Sequence, residues 1–138
     1  AALAQHQQAI AKVAEEDSDA EVQFAARVVL HKLDPAAGHM DAVAAKLEDS
    51  SLSVREAAIE TLGKLEPAAL AQHGAALTAR LEDVYGPLRK AAVETLGKLD
   101  SADLAQHEQA LAKAAKEDTD SDVRRAAAVV LATLRAGK

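Results

Sequence analysis

The sequence predicts an all-α fold, an α-solenoid of four helix-pair repeats, and three observations carry that prediction. The chain is self-similar along its whole length, in segments of about 1–34, 35–66, 67–100 and 101–135. Its apolar content is mostly Ala, Leu and Val, where Ala and Leu favour helices and small side chains let helices approach closely. Period-two alternation of Val, Ile and Thr, the signature of strands, is absent.

The second and third segments align at an offset of 34. Lys46-Leu47-Glu48-Asp49, Val54-Arg55-Glu56-Ala57-Ala58 and Thr61-Leu62-Gly63-Lys64-Leu65 overlay Arg80-Leu81-Glu82-Asp83, Leu88-Arg89-Lys90-Ala91-Ala92 and Thr95-Leu96-Gly97-Lys98-Leu99. The first and fourth segments resemble each other more than the middle pair. Leu3–Leu33 overlays Leu104–Leu134 at an offset of 101 without a gap, with about 19 of 31 positions identical. Both carry one extra residue in the first helix, from uneven duplication or from a longer array repeating in blocks of three.

Each segment reads as two helices, so about eight are expected. In the second helix, B, apolar residues recur at helical spacing: Val22, Ala25, Ala26, Val29, Leu30 and Leu33, then Val54, Ala57, Ala58, Leu62 and Leu65, then Val123, Ala126, Ala127, Val130, Leu131 and Leu134. Asp19, Ser51 and Asp120 are the capping types at its start. In the third repeat Tyr85-Gly86-Pro87 replaces the cap, and Pro87 is tolerated in a first turn because its missing N–H has no helical partner to lose. The first helix, A, should turn Leu3, Ile10 and Val13, or Leu70, Leu77 and Leu81, inward. Pro35 and Pro67 close one repeat and open the next. A lone helix pair cannot bury its apolar face, so such units stack.

Composition narrows the chemistry. The net charge of −6 and pI near 5.3 disfavour phosphate backbones. With no Cys there are no disulfides, thiolate metal sites or thiol catalysis. No stretch approaches 18 apolar residues without a charge, and the N-terminus has neither initiator Met nor signal-peptide pattern. The cut-like ends suggest one domain taken from a longer protein. A designed repeat is the alternative, against which Val84-Tyr85-Gly86-Pro87 and Gly38-His39-Met40 are too irregular.

The run Leu-Glu-Asp, then Val-Arg-x-Ala-Ala, then Leu-Gly-x-Leu resembles HEAT repeats, especially the short HEAT-like variety of phycobilisome lyases. The resemblance spans the chain and implies a solenoid with helix B concave and helix A convex. It also implies a ladder between successive repeats, from a turn Asp to an Arg early in helix B. The matching positions are Asp17, Asp49, Asp83 and Asp118 with Arg55, Arg89 and Arg124. Gln23 departs from the pattern. On this reading Arg89 should meet Asp49 or Asp83.

Residues able to carry chemistry are few. His6, His39, His73 and His107 share one repeat position, so they should form a row about 10 Å apart, too far to share one metal. Deoxyhypusine hydroxylases, HEAT-like di-iron enzymes, use several His-Glu pairs, and only His107-Glu108 has that form here. Asp118-Thr119-Asp120-Ser121-Asp122 opens like a calcium loop, but Val123 and Val129 occupy the required Gly and Glu positions. No cofactor, metal or catalytic residue is expected.

The expected function is therefore non-catalytic binding of a protein partner on helix B, with no nucleic acid and no membrane, and with the cytoplasm favoured. A bilin-lyase-type enzyme and a nucleic-acid module are the alternatives. One surface position reads Phe24, Glu56, Lys90 and Arg125 along the repeats, and the next turn carries Val28, Glu60, Glu94 and Val129. Phe24, Val28 and His31 then make an apolar stripe in the first repeat, for a partner or a preceding repeat to cover. Either way Phe24 should be partly exposed.

Overall fold

The computed structural model describes residues 2–137, with side chains from Gln5 onward. Among them there are ten α-helices and no strand: α1 (Ala2–Glu16), α2 (Ala20–Leu33), α3 (Asp41–Ala45), α4 (Leu52–Leu62), α5 (Pro67–Ala71), α6 (Gly74–Ala79), α7 (Gly86–Leu96), α8 (Ser101–Ala105), α9 (Glu108–Glu117) and α10 (Ser121–Ala136). Adjacent helices pack as in a HEAT-like array. Helix B of each repeat is continuous, as α2, α4, α7 and α10. Helix A is whole only in the first repeat. In the third and fourth repeats it breaks at the recurring histidine, whose N–H closes a tighter turn (His73 to the Leu70 carbonyl, His107 to Leu104, both 2.9 Å). In the second repeat Gly38 takes a left-handed φ of 74° between a short 3₁₀ turn and α3. These breaks raise the count above the eight helices expected.

The chain forms two compact units, Ala1–Leu62 and Gly63–Lys138. In the first, α1 packs on α2, and α2 on α4. Ala14, Ala26 and Leu30 form a small core with Ile10 and Ala11 against it. The expected α2 face is corrected here. Val22, Val29 and Leu33 are 40%, 43% and 42% exposed, whereas Phe24 is 2% and His31 9% exposed. Val28 is half-buried. The side of α2 bearing Phe24 and His31 is thus covered, and the Val22 side is open. Val13 of α1 is also exposed, at 39%, and the Leu3 side chain lies outside the described residues.

In the second unit α10 packs on α7, α8 and α9. Here the expected faces hold. Leu70, Leu77 and Leu81 of helix A and Leu88, Leu96, Val123, Ala127, Val130, Leu131 and Leu134 of helix B are buried. Pro67 and Pro87 sit in first turns, and Asp19 and Asp120 cap α2 and α10.

Candidate functional site: the ladder and the α7–α10 groove

The four turns between helices A and B are built alike. The turn Asp accepts a backbone N–H two residues on, as in Asp17 from Asp19, Asp49 from Ser51, Asp83 from Tyr85 and Asp118 from Asp120. A side chain six residues later then bonds the carbonyl of that same Asp. Gln23 reaches Asp17 at 2.6 Å, Arg55 reaches Asp49 and Arg89 reaches Asp83 at 2.9 Å, and Arg124 reaches Asp118 at 2.7 Å. Gln23 therefore keeps the local bond although it lacks a guanidinium.

Arg89 also spans repeats. Its Nε and Nη2 donate to the two carboxylate oxygens of Asp118 at 2.9 and 3.0 Å, a bidentate pair with side chains 13% and 7% exposed. This corrects the expected partners. The carboxylate belongs to the following repeat, and Asp83 contributes its carbonyl. A guanidinium anchored at Nη1 in its own turn has its opposite edge free to point forward. Burial pushes the Asp118 carboxyl up. The Arg89 hydrogen bonds, the Asp120 N–H and the charges of Arg89 and Arg124 outweigh it and hold that carboxyl below the ordinary carboxylate range. The bond to Asp118 correspondingly raises Arg89, against desolvation. A Cβ on Gly86 would stand 2.8 Å from Asp120 Oδ2, so a larger residue there would have to shift the Asp120 side chain.

The shared histidine position is structural in the fourth repeat. His107 Nδ1 lies 3.1 Å from Thr78 Oγ1 of the preceding repeat, and its ring lies where a Cβ on Gly74 would meet Nε2 at 2.5 Å. Among the described residues no three His, Asp or Glu side chains are grouped to hold a metal. The calcium-like Asp runs are used as caps: Asp118 accepts from Asp120, and Asp120 from Asp122.

Of the helix B surface positions, Lys90, Glu94 and Arg125 come together. They line a groove of about 450 Å³ between α7 and α10, with Gly97, Val129 and Val130. Val129 is 61% exposed. Sequence reading missed Gly97 and Val130, although the Leu-Gly-x-Leu pattern marks a position where helices approach closely. Glu56 and Glu60 lie exposed on α4. At the repeat positions of Lys90 and Gly97, α2 carries Phe24 and His31, both buried. No helix is long and apolar enough to cross a membrane among the described residues.

Residues 40–62, spanning α3 and α4, match the model of a HEAT repeat associated with sister chromatid cohesion. No curated protein matches the chain. That match lies inside an all-α array of helix pairs joined by one recurrent turn, and the two together support a HEAT-like repeat family.

Proposed function

We propose that the chain is a non-catalytic protein-interaction module, and that it receives a segment of a protein partner in the α7–α10 groove. The carrying observation is the contrast between two equivalent places. On α2 the chain's own Phe24 and His31 occupy positions that α7 gives to Lys90 and Gly97, and the groove beside α7 stands open. Its lining joins apolar Val129, Val130 and Ala126 with Lys90, Glu94 and Arg125, which carry both signs of charge. Apolar surface beside charges of both signs suits a peptide or helix with one apolar anchor. A lining of mixed sign and a chain of net charge −6 offer little to a phosphate backbone. HEAT repeats are typically protein-interaction modules, which agrees with this reading.

The test is retention of native-lysate proteins on the immobilised intact chain, at physiological salt. Val129→Glu puts a charge into the groove lining at an exposed position, so the fold should survive. At least one retained protein should fall about tenfold or more. Lys113→Glu, at an exposed position of α9, should retain it unchanged. Equal retention by both variants would exclude the groove.

A further inference from the structure

We propose that the turn before α7, with the adjoining end of a groove between α6 and α9, receives a segment of a protein partner that carries a basic residue beside an apolar one. The first observation is an exception in the repeated turn. The residue after the turn Asp is Ser18, Ser50 and Thr119 in the first, second and fourth repeats, and Val84 in the third. Val84 is 93% exposed, so burial does not account for it. The next position is Asp19, Ser51 and Asp120 in those repeats, and Asp19 and Asp120 cap their helices through side-chain oxygens. In the third repeat it is Tyr85, 39% exposed, which gives α7 no side-chain cap. This turn therefore gives up a polar cap and sets a Val and a Tyr in water. The same turn forms in the other three repeats without that exchange, so folding does not call for it. An exposed aromatic beside an aliphatic side chain is the make-up of a contact anchor. The turn is internal to the array, with a repeat before and after it in the sequence.

The second observation names the chemistry of the occupant. A groove of about 500 Å³ lies between α6 and α9, and Ala75, Ala79, Ala110 and Ala114 line it. Its charged lining is Glu82, Glu117 and Asp118 against Lys113. Arg89 already holds Asp118. Lys113 reaches from α9 to Glu82 at 3.7 Å, with side chains 63% and 80% exposed. Such an exposed pair is weak, so another cation can replace it. Glu82 stands two residues before Val84, and Glu117 two before Thr119, so both carboxylates lie at the turn end of the groove.

The chain thus answers Glu82 with an ammonium of its own. A partner's Lys or Arg takes that place, its aliphatic stem against the alanine methyls and its head toward Glu82 and Glu117. The apolar neighbour of that residue covers Val84 and Tyr85. The same carboxylates repel a phosphate backbone, which commits the occupant to protein. This surface shares no lining residue with the α7–α10 groove, so the two are testable apart.

The test screens a displayed random-peptide library on the immobilised intact chain. Selected peptides without Tyr or Trp are then titrated while Tyr85 emission is followed. Tyr85 is the chain's single tyrosine and there is no Trp, so the signal comes from this turn. Peptides that change it should carry Lys or Arg beside an apolar residue. Val84→Ser, which restores the hydroxyl of the other turns, should weaken them about tenfold or more. Glu82→Lys combined with Glu117→Lys should do the same, both positions being exposed and helicity being checked by circular dichroism. Lys113→Glu, which frees Glu82, should bind them more tightly. Val129→Glu should bind them unchanged, which keeps a failure here distinct from a failure of the α7–α10 groove. A library that yields no peptide able to move Tyr85 emission overturns the proposal, as does full affinity for Val84→Ser. Selected peptides that are acidic, or that bind Lys113→Glu more weakly, also overturn it.

Discussion

Phe24→Ala is expected to lower the unfolding free energy by about 3–5 kcal/mol, the cost of emptying a fully buried aromatic site. Phe24 is 2% exposed, on a helix packed against both α1 and α4. In a thermal melt followed by circular dichroism the midpoint should fall on the order of 10 °C. Phe24→Leu, which keeps most of the volume, should cost much less. An exposed partner anchor would behave otherwise, leaving the midpoint within a few degrees while binding fell. A melt of Phe24→Ala superimposable on the wild type would contradict the packing described for α2.

Arg89→Ala is expected to cost about 2–3 kcal/mol. Removing one partner of a buried ion pair costs about 3–5 kcal/mol, and this pair is nearly but not fully buried. The lost bond to the Asp83 carbonyl adds to it. The acid dependence follows from the depressed Asp118 carboxyl. A carboxyl lowered on folding contributes stability that is complete above its unfolded value, about 3.9, and is lost as pH falls through the folded value. Urea titrations of the wild type and Asp118→Asn should therefore differ at pH 7 and converge as the pH is taken from about 4 downward. A difference independent of pH would remove the ion pair from the account. A double-mutant cycle between Arg89 and Asp118 should return a coupling of at least about 1 kcal/mol.

The repeat and its turns were legible because each recurs at fixed spacing, and recurrence separates a shared structural duty from chance composition. The Arg–Asp ladder was implied by the HEAT-like resemblance, and Arg89 with Asp118 forms a rung of it. The direction of the rung was not legible. Spacing places Arg89 near the carboxylates of both neighbouring repeats, and only the anchoring of Nη1 on Asp83 decides that its other edge points forward to Asp118. Phe24 was misplaced for a related reason. Its repeat equivalents Glu56 and Arg125 are exposed, so alignment assigned it to the surface. The same position borders the space between successive B helices, and an aromatic ring can be buried where a charged chain must reach water. Val22, Val29 and Leu33 show the converse. Helical periodicity identifies an apolar stripe, but burial also needs a neighbouring helix over it. On α10 the stripe meets α7, with Val130 against Gly97, whereas among the described residues it stays exposed on α2.

Site-specific photo-cross-linking tests the interaction reading most directly. A photoreactive residue at Val129, in the lining of the α7–α10 groove, is compared with one at Gln109, exposed on α9, each in the intact chain under native-lysate conditions. The account predicts a discrete protein adduct from position 129, absent at 109 and lost when Lys90 and Arg125 are both reversed to Glu. Adducts of equal yield from both positions, or adducts from 109 alone, would contradict it.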